Sequence, residues 1–273
     1  MGIGEVAALL GVGMAAGVIN VVVGSGTLVT FPTLLAFGYT PVVANVTNTV
    51  GLVSGSLSGI HGYRAEINEF RTARRGRLLR LILASLLGAI TGALLLLVLP
   101  AKAFKAIVPA LIALALVLIV AQPRLSKRIA ARRAAAAEAA GESAAPRDGA
   151  WGVLAAVYGS GVYGGYFGAA QGVLLMAILG LTFSDGLQIL NGVKNVLACV
   201  VNAIAAVVFI TVGALNLGGD EHPSVRWGAA LAIAIGALIG GQIGARVGRR
   251  LPPKVLKALI ITVGLAAIIS MLA

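Results

Sequence analysis

Lys194 stands inside a long apolar run, with Asn191 three residues before it and Asn195 directly after it. A charge deep in a membrane helix costs about 3 kcal/mol on insertion scales, so such a residue faces a cavity or a partner. Facing a cavity, Lys194 would pair with an anion. The plainer alternative is a lysine that snorkels or pairs structurally; the nearest acid in sequence is Asp185, two to three turns back. The same spacing occurs earlier. Asn45, Asn48 and Thr49 occupy i, i+3 and i+4, as do Asn191, Lys194 and Asn195, which puts each trio on one helix face. Ser56 and Asn202 extend the two faces. Two such faces would line a binding site, or they would hydrogen-bond between helices, as Asn and Ser also do.

Upstream of each trio lies a glycine break, Gly24-Ser25-Gly26-Thr27 in one case and Gly168-Ala169-Ala170-Gln171-Gly172 in the other. Glycine frees backbone N–H groups, and a helix start carries partial positive charge. A half-helix beginning at Thr27 or Gly172 would aim those N–H groups at an anion, with Ser25 or Gln171 adding side-chain hydrogen bonds. Pro32 and Pro41 punctuate the short piece after the first break. Close helix packing is the alternative use of such glycines. His61, beside Tyr63 and Arg64, reads as interfacial, and Trp151 and Trp227 open spans as aromatic-belt residues. Two histidines and one cysteine do not supply a metal set, and no Walker motif is present, so no metal, cofactor or ATP chemistry is expected. Cys199 reads as a small buried hydrophobe.

The elements that must position these residues are membrane helices. Of 273 residues, 59% are hydrophobic and 11% charged, and mean hydropathy is +1.00. That leaves too little polar surface for a globule in water. A bilayer admits helices or closed barrels, and runs such as Leu81–Leu99 and Ile107–Val120 are too long and unbroken for barrel strands. The net charge of +12 does not indicate nucleic acid, because most Lys and Arg fall in clusters between apolar runs. Met1 to Glu5 holds no basic residue, which argues against a cleaved signal peptide.

Apolar segments fall at 4–23, 27–37, 41–60, 78–99 and 103–121, then at 150–167, 172–183, 186–212, 225–245 and 254–272. Segments 27–37 and 172–183 are too short to cross easily. Between the two sets lies a charged, Ala-rich stretch, read as a solvent-exposed basic linker with partial helix content. The chain thus divides into a first membrane repeat (1–122), a cytoplasmic linker (123–149) and a second membrane repeat (150–273). One numerical shift aligns Asn45 with Asn191, Asn48 with Lys194, Thr49 with Asn195, Ser56 with Asn202 and Gly26 with Gly172. Gly17 and Gly161 need a two-residue gap.

Three basic clusters, Arg64–Arg80, the linker, and Arg246–Lys257, are placed in the cytoplasm by the positive-inside rule. The loop Gly213–Val225, with Asp220 and Glu221, is then outside, and so are Lys102 and Lys105, against the rule. Odd crossing numbers for each half follow, and tandem halves of that kind are inverted. The expected fold is an all-α integral membrane protein of two inverted-topology repeats. Each is a Gly-broken re-entrant hairpin plus three transmembrane helices.

The run GVINVVVGSGTLVTFPTLLAFGYTPVVANVTNTVG resembles the first signature of the TauE/SafE family of sulfite and sulfonate exporters. Its glycine turn, Pro32, Gly38, Pro41 and the pair Thr47-Asn48 carry the likeness. GVYGGYFGAAQGVLLMAILG followed by NGVKNVLACVVN is similar to the second signature. The chain departs from the pattern at Ser25, Thr27 and Gln171, where members often have glycine. The resemblance implies a multi-pass protein of the bacterial cytoplasmic membrane that moves sulfite, taurine, sulfoacetate or a related sulfur anion.

The reading is a secondary transporter, in the export direction, for a small sulfur-containing anion. Its expected site comprises Gly24, Ser25, Gly26, Thr27, Asn45, Thr47, Asn48, Gly168, Gln171, Gly172, Asn191, Lys194 and Asn195. Glu5, Glu66 and Glu69 lie near span ends, so none is placed as a proton carrier. The expected partners are the anion and the lipid bilayer, with no nucleic acid; a homo-oligomer stays open. The rival is a non-transporting membrane scaffold or accessory subunit, which explains the helices but not two matched polar clusters. A membrane enzyme lacks a nucleophile–base pair.

Overall fold

The computed structural model describes residues 1–140, 151–215, 224–247 and 253–272. The linker segment 141–149, the acidic pair Asp220 and Glu221, and Arg249 and Arg250 lie outside the described residues. Ten helices account for nearly all of the rest, and no strand occurs among the described residues. In chain order they are α1 (Ile3–Val22), α2 (Thr27–Ala36), α3 (Pro41–Gly62), α4 (Arg64–Val98) and α5 (Ala101–Ala140). The second half supplies α6 (Trp151–Tyr166), α7 (Gln171–Thr182), α8 (Leu187–Ala214), α9 (Trp227–Val247) and α10 (Pro253–Leu272).

Five helical segments are long and apolar enough to cross a membrane: Ile3–Val22, Arg64–Val98, Ala101–Arg124, Leu187–Ala214 and Trp227–Arg246. α2 and α7, with 10 and 12 residues, are the short pieces expected after the glycine breaks. α3 is 22 residues long, about 33 Å, but it carries Asn45, Thr47, Asn48 and Thr49 as buried polar residues. Two helices run past the apolar segments 78–99 and 103–121, the second into the stretch expected to hold partial helix. α4 begins at Arg64, so most of the first basic cluster is helical, with a break at Arg74 (φ −146°, ψ 46°). α5 continues through Pro123 to Ala140 and carries helix into the stretch read as linker.

The side-chain pattern suits lipid outside and close packing inside. On α4, Ala84, Ser85, Gly88, Ala89, Gly92 and Ala93 are buried, while Leu83, Leu87 and Leu94 are exposed. Small residues inward and leucine outward is how membrane helices pack, because lipid gives leucine no reason to hide. A methyl group added at Gly92 would strike the Val162 carbonyl of α6, and one at Gly17 would strike the Ala237 carbonyl of α9.

The packing pairs repeat between halves. α1 lies on α9 as α6 lies on α4; α3 lies on α9 as α8 lies on α4; α2 meets α10 as α7 meets α5. Exchanging the halves maps each pair onto its mate. Phe31 of α2 packs edge-on against Phe167, which follows α6, with ring centres 5.1 Å apart, joining the halves in one core.

The bundle has two distinct ends. At one, the Tyr39 hydroxyl donates to Glu5 Oε1 at 2.6 Å, so the turn after α2 lies back beside the first turn of α1. Residues 225–228, which lead into α9, share this end. At the other, Gly62 of α3 abuts Ala245 of α9, bringing the neighbourhoods of Arg64 and Arg246 together. Two of the three basic clusters therefore meet at the end opposite Tyr39.

Candidate functional site

The chain reverses at Gly24, where φ is +82°, and at Gly168, where φ is +78°. Both values lie in the left-handed region, which glycine enters without a Cβ penalty. Each break spans four residues, 23–26 and 167–170, and the second also places Ala170 at φ +61°. The two breaks touch. The Gly172 N–H donates to the Gly24 carbonyl at 3.0 Å, and a methyl group at either position would overlap the other's Cα. Segments far apart in sequence thus close on one backbone contact.

Each polar helix face attends to the break of the opposite half. Lys194 is fully buried, and its Nζ donates to the carbonyls of Val21 (2.9 Å) and Asn20 (3.5 Å) at the end of α1. These carbonyls lie in the last turn of a helix, where partial negative charge collects and a cation is favoured. In the mirrored place, Asn45 Nδ2 donates to the Tyr166 carbonyl at the end of α6 (3.0 Å). Asn48 works within its own half: its Nδ2 donates to Thr27 Oγ1 at 3.2 Å, and its Oδ1 accepts from the Thr30 hydroxyl. It thereby fixes the first turn of α2.

The structure brings Gly24 against Gly172 and Gly26 against Ala16 and Asn20 of α1, with Ser25 between the two glycines, Asn48 bonded to Thr27 and Lys194 at the end of α1. Gly168 and Gln171 belong to the facing break; Gln171 lies over Gly164, with no room for a methyl group there. Asn195 reaches Gly59 of α3, and Asn191 lies one turn before Lys194. Thr47 turns elsewhere: its Oγ1 accepts the Arg226 N–H at 3.1 Å, just ahead of α9.

Several buried polar atoms here have no hydrogen-bond partner: Ser25 Oγ, Gln171 Nε2, Asn195 Nδ2, Asn45 Oδ1 and Asn191 Oδ1. Ser25, Gln171 and Asn195 are each at most 4% exposed. An unsatisfied buried polar group costs about 1–3 kcal/mol. A small anion would accept from the hydroxyl and the two amides.

Sequence reasoning did not place Asn20 or Thr30 in the site. Asn20 contributes its carbonyl to Lys194 and its side-chain amide to Ser56 Oγ at 3.2 Å. Its signal was present, since it is an asparagine within an apolar run. Thr30 gave no such signal, because threonine is unremarkable in a helix and only the fold brings it to Asn48.

Searches of curated proteins and of solved structures found no match to the chain. The family model described as Sulfite exporter TauE/SafE matches residues 9–271, a span that takes in both glycine breaks, both polar helices and Lys194. With its five apolar helical segments, the chain is a multi-pass membrane protein and belongs to the TauE/SafE sulfite exporter family.

Proposed function

We propose that this protein is a secondary transporter that exports a small sulfur-containing anion, sulfite or an organosulfonate, across a bacterial cytoplasmic membrane. The observation that carries the reading is the contact of the two glycine breaks, flanked by the buried, unpartnered Ser25 hydroxyl and Gln171 amide, with a third unpartnered donor, Asn195, beside Gly59 and next to Lys194 in sequence. Lys194 supplies the positive charge at the end of α1, and among the described residues it is the only fully buried charged side chain. The backbone at Gly26–Thr27, at the start of α2, offers further N–H donors. Asn45 and Asn48 hold the breaks, Asn191 lies one turn before Lys194 on the same face of α8, and Thr47 ties α3 to the start of α9.

The architecture proposed for this task is a pair of inverted repeats, each a re-entrant hairpin followed by three crossing helices. The exchange symmetry of the packing pairs supports it, as does the return of Tyr39 to Glu5 around a buried break. The positive-inside rule assigns the Arg64 and Arg246 end to the cytoplasm and the Tyr39 end to the outside. Rocking of one half on the other would part the Gly24–Gly172 contact and expose the donors to either side in turn. The membrane potential alone would drive an anion outward, at about 2.3 kcal/mol per charge per 100 mV.

The test is uptake of labelled sulfite, taurine and sulfoacetate into proteoliposomes, for wild type, Gln171→Ala and Asn195→Ala. Saturable flux of at least one compound, weakened in the variants, is expected. Absence of flux for all three would sink the sulfur-anion reading; binding without flux would favour a membrane scaffold. A reporter fused at the N-terminus checks the topology, and a cytoplasmic signal would overturn it.

A further inference from the structure

The end of the bundle that carries Tyr39 holds a second feature with the chemistry of an anion site. A cavity of about 600 Å3 opens there, lined by Phe37, Tyr39, Thr40, Val43, Arg226 and Trp227 among others. Beside it a smaller cavity of about 380 Å3 is lined by Thr40, Val43, Lys102 and Lys105, together with Pro41 and Ala101. The two share Thr40 and Val43, so three cations, Arg226, Lys102 and Lys105, flank a single turn of chain between α2 and α3. Among the described residues the acid at this end is Glu5, and its carboxylate already accepts the Tyr39 hydroxyl at 2.6 Å.

Lys102 and Lys105 are misplaced for topology, since they lie at the end away from the Arg64 and Arg246 clusters. A cation held against the positive-inside bias needs another reason. Clefts lined by one sign of charge raise the local concentration of the opposite ion. The cleft is also linked to the polar face of α3. Val43 lines both cavities, and Thr47, one turn further along the same face, accepts the Arg226 N–H at 3.1 Å.

We infer that this vestibule is a second anion-binding site, separate from the glycine breaks, in which Arg226 with Lys102 and Lys105 holds a small sulfonate- or sulfite-like oxyanion at the mouth of the bundle. Its position on the outer face rests on the topology proposed above; its affinity for an anion does not. Lipid phosphate has the same chemistry, so the test separates a free anion from a headgroup.

Trp227 lines the larger cavity and is one of two tryptophans in the chain, so Trp151→Phe leaves it as the single fluorescent reporter. The protein is placed in phosphatidylcholine nanodiscs and quenched with iodide, an anion, and with acrylamide, which is neutral. The ratio of iodide to acrylamide quenching is expected to fall about two-fold or more when Arg226→Gln, Lys102→Gln and Lys105→Gln are combined. Arg226→Gln alone should give most of that change. Methanesulfonate should protect Trp227 from iodide saturably at constant ionic strength, and should not do so in the triple variant. An unchanged quenching ratio, or protection only by phosphatidylglycerol in the disc, would overturn the proposal. Because the readout is not flux, a failed transport assay with intact protection would count against the transporter reading and leave the vestibule standing.

Discussion

Asn202 of α8 donates to Ser56 Oγ of α3 at 3.0 Å, and the two residues occupy equivalent positions in halves offset by 146 residues. Repeat-related residues that touch one another lie close to the axis relating the halves. The same offset joins Asn45 to Asn191 and Asn48 to Lys194, so both polar faces run from this crossing toward the glycine breaks. Ser56 also accepts from Asn20 at 3.2 Å, which ties α1 into the crossing.

Replacing Ser56 by Ala removes the shared acceptor and strands two amides. A loss of about 1–3 kcal/mol is expected, read as a fall in melting temperature of the detergent-solubilised protein. Asn202→Ala should cost less, because Asn20 keeps its partner. Equal losses in the two variants would show that the crossing does not depend on this hydroxyl.

Gly24→Ala forces a methyl group onto Gly172 and an alanine into φ +82°. Left-handed backbone alone costs a non-glycine residue about 1–2 kcal/mol. The expected outcome is a lower melting temperature and loss of flux. Gly38→Ala is the control: its φ is +84°, but nothing lies within contact distance of an added methyl. It should carry the backbone penalty and retain flux. Equal loss of flux in both would remove the special role of the contact between breaks.

Lys194→Met keeps much of the side-chain volume and removes the donor to the Val21 and Asn20 carbonyls. Those carbonyls are then left facing an apolar chain, at an expected cost of about 1–3 kcal/mol. If the lysine serves the anion as well as α1, flux should disappear even under conditions where the folded fraction of the variant is restored. Flux in proportion to folded protein would confine Lys194 to the capping of α1.

The Tyr39 phenol lies in the turn outside the helical spans. Burial, then the hydrogen bond and negative charge of Glu5, push its pKa up from 10.0 to about 12. A raised folded-state pKa means that the protonated phenol favours the folded form. Its contribution is complete below pH 10 and is lost as pH rises through about 12. Thermal stability should therefore fall across that window in wild type, and the fall should be shallower in Tyr39→Phe. Identical profiles would show that the contact with Glu5 does not persist in solution.

At the other end of the bundle, Arg74 at the break in α4 pairs with Asp185 in the turn before α8, both side chains largely covered. Arg74 also lies over the rings of Phe70 and Phe183, 5.9 and 6.0 Å from their centres. A double-mutant cycle with Arg74→Gln and Asp185→Asn should give a coupling of about 1 kcal/mol in stability. Additive losses would mean that the pair contributes nothing beyond its parts.

Much of this protein is determined by its sequence alone. Apolar runs with scant charge require membrane helices, and spacing of three and four puts Asn191, Lys194 and Asn195 on one face. The matched glycine breaks mark where helices stop, because these constraints act within a few turns of chain. The sequence also placed Asn45 with Asn191 and Ser56 with Asn202 as equivalents. It could not say that Ser56 and Asn202 touch, that Lys194 spends its hydrogen bonds on the end of α1, or that Thr47 turns to Arg226 rather than to the breaks. Nor did it reveal Thr30 behind Asn48. Those are contacts between distant segments, and the close approach of small residues on neighbouring helices decides which polar group meets which. Only the tertiary structure fixes that register, since a shift of one helix turn would leave every local pattern intact and change every partner.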